Sequence, residues 1–219
     1  MYYNNMKVKL KVPTSLSDIK LSQYQKFIKT TEGKEDAAFV NRQLVGIFCN
    51  IPDDIVGKIR KNDFNDVIQT ITNALNEKPK LILKTTVNGV KYGFIPKLED
   101  ITVDEQADLE TLLKETRTFD KAAAVMYRPI TVERKDKYQI EEYKGKGESL
   151  DVTLDVMLGA ISFFLNLQKD LLNCTLNYIE EQVESQPNKY KTSGLNGDGI
   201  KTITRWLNQT LEDSTRLVS

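Results

Sequence analysis

Few residues of this chain combine types and spacings that could do chemistry. The nearest to a motif is GLNGDGIKT, from Gly194 to Thr202, which almost spells a phosphate-binding loop. Such a loop needs GxxxxGK followed by serine or threonine, because backbone amides wrap the phosphates and the lysine reaches them from the first helical turn. Gly194 and Gly199 have the required separation, but Ile200 is inserted before Lys201 and Thr202. The insertion turns the lysine about 100° around a helix. The preceding SQPNKYKTS also lacks the character of a buried parallel strand. The stretch therefore reads as a hinge, and no nucleotide binding is expected.

Acidic residues gather in three places: Asp104, Glu105, Asp108 and Glu110, then Glu141 and Glu142, then Glu180, Glu181 and Glu184. Paired carboxylates can hold a hard cation or act as general acid and base. Each group nevertheless falls in a segment that reads as a solvated face, and the first sits where a helix N-terminus favours negative charge. The chain contains 0 histidines, which removes the usual serine and cysteine triads and histidine-ligated zinc. Its 2 cysteines, Cys49 and Cys174, stand in apolar helical contexts and read as buried free thiols. They suit a reducing compartment, as does an N-terminus without the apolar core of a secretory signal. The expectation is no catalytic residue, no cofactor and no metal site. With 31 basic and 31 acidic residues, no global field draws the chain to nucleic acid or to an anionic membrane.

The elements that position these residues are mostly helices. IKLSQYQKFIKT follows the cap signals of TSLSD and puts Ile19, Leu21, Tyr24, Phe27 and Ile28 on one face. AAFVNRQLVGIFCNI is apolar on most sides. PDDIVGKIR is a short helix with Pro52 and acids at its start, and NDFNDVIQTITNALN turns Phe64, Val67, Ile68, Ile71 and Leu75 inward. KLILKTTVNGVKYGFIP changes period and predicts a hairpin turning at Asn88-Gly89, because a tight primed turn needs positive φ at both central residues. TVDEQADLETLLKE is a helix, and DKAAAVMYRPI is another that must stop before Pro129. ITVERKDKYQIEEYKG reads as a second hairpin, turned by RKDK. A long helix follows from VTLDVM to EEQVE. Its apolar centre ends at Asn166, with Lys169 and Asp170 just beyond, which is short of the about 20 residues of a membrane span. It reads as a buried core helix.

Two segments read as contact surfaces. KVKLKVP alternates Val8, Leu10 and Val12 with Lys7, Lys9 and Lys11, the period of a half-buried strand ended by Pro13. The lysine stripe either protects a sheet edge or marks one completed by a partner's strand. At the other end, residues 185–199 read as a flexible linker with a reach of roughly 20 Å. Residues 200–219 follow as an amphipathic arm presenting Ile200, Ile203, Trp206, Leu207 and Leu211. The arm packs on its own domain or into a groove on a neighbour. The predicted class is α+β, predominantly helical: a helix cluster with an N-terminal strand, two hairpins and a long buried helix in one domain over residues 1–184.

Several stretches together resemble an uncharacterised family from tailed bacteriophages, including the crAss-like phages. They are VPTSLSDIKLSQYQKF, YGFIPKLEDIT, KAAAVMYRPIT, YQIEEYKG and LDVMLGAISFFLNL, spanning Val12 to about Leu167 in order. TVDEQADL stands where a more glycine-containing turn would be expected after FIPKLEDI. The resemblance implies a product that helps to build the particle, near the neck or tail, with no catalytic motif to carry over. Two functions follow as expectations. One is a ring or connector subunit that forms homo-oligomers and contacts other phage structural proteins. The other is a non-virion tail assembly chaperone. Neither involves specific nucleic acid or a membrane.

Overall fold

The computed structural model describes residues 10–97, 101–135, 137–145 and 148–167. The fold is α+β and mainly helical, around one 4-stranded antiparallel sheet. The chain divides into two compact units, Met1–Ala160 and Ile161–Ser219. Of the second, residues 161–167 are described and helical. The domain boundary expected at residues 184 and 185 lies outside the described residues.

The helical part of the first unit opens with a 3-10 turn, Leu16–Asp18. The Asp18 carboxylate accepts from the backbone N–H groups of Thr14 and Ser15, so the TSLSD signal caps this turn rather than the helix after it. Helix α1, Leu21–Thr31, takes its cap from far along the chain. Asp151 accepts from Ser22 N at 2.9 Å and from Ser22 Oγ at 3.0 Å. Leu21 N donates to Val152 O, and Leu154 N donates to Ile19 O. Helix α2, Ala37–Phe48, is capped by Asp36 and packs on α1, with the Phe27 and Phe48 rings 5.3 Å apart. The short α3, Asp53–Val56, and then α4, Lys61–Leu75, complete the cluster; α4 buries Val67, Ile71 and Ala74. Cys49 is buried and free, as expected, and Cys174 lies outside the described residues.

The predicted first hairpin is present as β1, Lys84–Val87, and β2, Val90–Phe94. Asn88 has φ 51° and Gly89 φ 82°, the backbone that this turn type requires. After β2 the chain makes α5, Val103–Leu112, and α6, Phe119–Met126. It then returns as β3, Tyr127–Arg134, and β4, Lys137–Ile140, giving the order β1-β2-β3-β4. Helix α6 thus stops two residues earlier than Pro129 demands, and Pro129 lies inside β3 opposite Tyr92. Its missing donor falls on the other flank, where β4 ends and Glu141 N donates to Pro129 O, so no bond between β2 and β3 is lost.

A β-bulge between Ile130 and Val132 bends β3, as bulges do, and the second hairpin closes over the first. The Tyr138 ring lies against Gly93, where a Cβ would stand 2.7 Å from its Cδ2. The Tyr138 hydroxyl donates to Phe94 O at 2.8 Å, and Glu133 takes ion pairs from Lys84 and Lys91. On the opposite side of the sheet, Tyr127 packs edge-on against Phe94 and donates its hydroxyl to Ile82 O at 2.8 Å. A further helix, α7, covers residues 154–167. Leu154, Met157 and Ala160 are fully buried in the first unit.

The expected N-terminal strand differs. Leu10, Lys11 and Val12 are irregular and belong to no strand, while Lys7, Val8 and Lys9 lie outside the described residues. Alternation marks which side chains share a face, but a strand exists only where a neighbour supplies hydrogen bonds, and within the described residues none pairs with Leu10–Val12.

Candidate functional site: a buried polar cluster between helix α5 and the sheet

The strongest convergence of charged groups lies where α5 meets β3. Thr102 and Glu105 have the spacing of a capping box. Glu105 N donates to Thr102 Oγ1, and the Glu105 carboxylate accepts from Thr102 N at 2.7 Å and Thr102 Oγ1 at 2.9 Å. Its other oxygen meets Arg128 Nη1 at 2.7 Å, with side-chain exposures of 4% for Glu105 and 12% for Arg128. One carboxylate therefore caps the helix and neutralises a cation from the sheet. The Arg128 guanidinium carbon stands 6.0 Å from the centre of the Tyr143 ring, and the Tyr143 hydroxyl donates to Asp108, one turn along α5. Burial, and then the Asp108 hydrogen bond, hold that hydroxyl protonated well above the usual phenol range. Arg128 Nε is buried and has no hydrogen-bond partner among the described residues.

Beside the cluster lies a cavity of about 20 Å³, lined by Arg128, Tyr143, Lys121, Glu141, Lys144 and Glu148 among others. That is room for a water molecule, far below the roughly 300 Å³ of a small-molecule site. Elsewhere among the described residues, hydrogen bonds and ion pairs lower carboxyl groups and burial raises thiol and phenol groups, all away from neutral pH. Hydrogen bonds from Thr14 and Ser15 lower Asp18, the Arg42 partner lowers Asp53, and Lys84 and Lys91 lower Glu133. Burial pushes the Cys49 thiol up to about 11 and raises Tyr127.

This corrects the sequence expectation for the first acidic group. Asp104 and Glu110 are solvated, but Glu105 is 3% exposed and Asp108 is half-buried. Arg128 and Tyr143, which complete the cluster, were not singled out by sequence reasoning. The available signal was the Thr102–Glu105 spacing, which fixes a carboxylate without naming its partner. Of the predicted contact residues, Lys11 is exposed and outside the sheet. Lys7, Lys9, Ile203, Trp206, Leu207 and Leu211 lie outside the described residues, as do Gly194–Thr202 and Glu180, Glu181 and Glu184. No group of residues able to hold a metal ion occurs among the described residues. No helix among them is long and apolar enough to cross a membrane. No protein-family model, curated protein or solved structure matches the chain.

Proposed function

We propose that this chain is a non-enzymatic structural subunit of a tailed-bacteriophage particle, a ring or connector component of the head–tail region. In this reading it acts through contacts with copies of itself and with other phage structural proteins, and it joins the virion after synthesis in the bacterial host cytoplasm. The supporting observation is that the segments carrying the phage resemblance, distant in sequence, touch one another in the fold. Tyr92 of YGFIPKLEDIT pairs with Pro129 of KAAAVMYRPIT, and Ile130 pairs with Ile140 of YQIEEYKG. Leu154 of LDVMLGAISFFLNL donates to Ile19 O of the first segment at 2.8 Å. Tyr127 joins the two sets through Val156 O at 3.4 Å.

Mass spectrometry of purified phage particles tests the proposal. Stoichiometric presence in the particle is the expected result. Abundance in infected lysate with absence from particles would replace it with the assembly-chaperone reading.

A further inference from the structure

We infer that two copies of this chain pair antiparallel along the outer edge of β1, with Thr85 on the two-fold axis. The inference starts from the direction of the backbone groups. A two-residue turn makes Val87 and Val90 a hydrogen-bonded pair, and Phe94 N donates to Leu83 O at 2.9 Å. In an antiparallel ladder such pairs recur at every second residue. The odd-numbered residues of β1 therefore face β2, and Lys84 and Thr86 direct their N–H and C=O groups outward. Both residues are exposed, and no hydrogen bond from the described residues meets those outward groups.

The two edges of the sheet differ in how they are guarded. β4 belongs to the bulged, bent hairpin and is followed at once by Glu141 and Glu142, devices that discourage edge pairing. β1 has no bulge, no proline and no carboxylate. Leu83, just before it, is 52% exposed and lies on the same face as Thr85 and Val87. The charge on Lys84 is already met by Glu133 at 2.8 Å.

A second copy of the same strand is self-complementary with this edge in one register. Hydrogen-bonded pairs across the new edge can form only between outward residues. With Thr85 on the axis, Lys84 faces Thr86 of the second copy, and each such pair exchanges both N–H···O bonds. Thr85 faces Thr85 of the second copy, a favourable cross-strand pair. Leu83 faces Val87 of the second copy, which covers its exposed side chain. Centring on Lys84 would set two ammonium groups directly opposite. Centring on Thr86 would match Lys84 to the turn residue Asn88 and leave Leu83 beyond the paired strands. A short strand makes a small interface, so the dimer is concentration-dependent.

The pairing is independent of particle membership and is read on the purified full-length chain. Sedimentation equilibrium from micromolar to submillimolar concentration is expected to show a monomer–dimer equilibrium. Thr86→Pro removes an outward N–H that bonds to none of the described residues. It should keep the melting temperature while weakening the dimer roughly tenfold or more. In a Cys174→Ser background, Thr85→Cys should form a disulfide-linked dimer, because directly opposed residues of a wide pair stand about 4.5 Å apart. Lys84→Cys alone should not. A chain that stays monomeric throughout, a dimer indifferent to Thr86→Pro, or cross-linking through Lys84→Cys as readily as through Thr85→Cys would each overturn the inference. If Thr86→Pro does not fold, the contrast between the two cysteine variants decides it.

Discussion

Gly159 offers a test in which two physical effects have opposite signs. It lies inside α7, where replacing glycine by alanine ordinarily stabilises a helix by about 1 kcal/mol. Here, however, the backbone of Lys80 crosses the helix so closely that an added Cβ would overlap the Lys80 carbonyl oxygen. It would also stand 2.8 Å from the carbonyl carbon and 3.3 Å from Leu81 N. Neither neighbour can rotate away, because both are main chain. The segment is also held just after Leu81, where Ile82 O accepts the Tyr127 hydroxyl at 2.8 Å. Moving Lys80 outward would disturb this bond and the start of β1. Overpacking of this kind costs about 1–3 kcal/mol, and more where the backbone must shift. Because the overlap is with main chain the cost falls at the upper end, about 2–3 kcal/mol, and after the propensity gain of about 1 kcal/mol is subtracted Gly159→Ala should destabilise the chain by roughly 1–2 kcal/mol or more. Chemical denaturation with two probes measures it, and the melting temperature should fall by about 2–8 °C for a chain of this size. An alanine variant more stable than the parent would refute the close approach.

Other consequences are equally direct. Gly89→Val should cost about 1 kcal/mol or more, because a β-branched residue is strained at the positive φ the turn requires; an unchanged unfolding midpoint would count against the turn. Arg128→Ala should cost about 3–5 kcal/mol by leaving the Glu105 carboxylate buried and unpaired, and Arg128→Met combined with Glu105→Gln should recover most of it. A loss below about 1 kcal/mol for Arg128→Ala would mean that the pair does not hold α5 on the sheet. Burial raises the Cys49 thiol to about 11, so the folded state holds this proton more tightly than the unfolded one. Its contribution to stability is complete below the ordinary thiol pKa of about 8.5 and is lost as pH rises from there toward 11. Urea titrations across that range should show the parent losing stability that Cys49→Ala does not lose.

What was legible in the sequence is what a few neighbouring residues decide. Asn88-Gly89 announces its turn because the φ requirement is met locally, and α1, α2 and α4 announce their buried faces through spacing alone. What was not legible depends on partners far along the chain. The cap of α1 comes from Asp151, 129 residues from Ser22, so the local cap signal was assigned to the wrong element. The change from α6 to β3 falls at Tyr127 because Phe94 and Ile95 offer a strand to pair with, whereas the alanine-rich sequence favours helix up to the proline. Glu105 shows the limit most sharply. Its position in the first turn of α5 is satisfied equally by solvent or by Arg128, and only the arrival of β3 distinguishes a solvated cap from a buried ion pair. The same reasoning bears on the β1 edge. There Glu133 from the folded-over hairpin meets the Lys84 ammonium, a partner 49 residues away that the sequence around Lys84 does not announce.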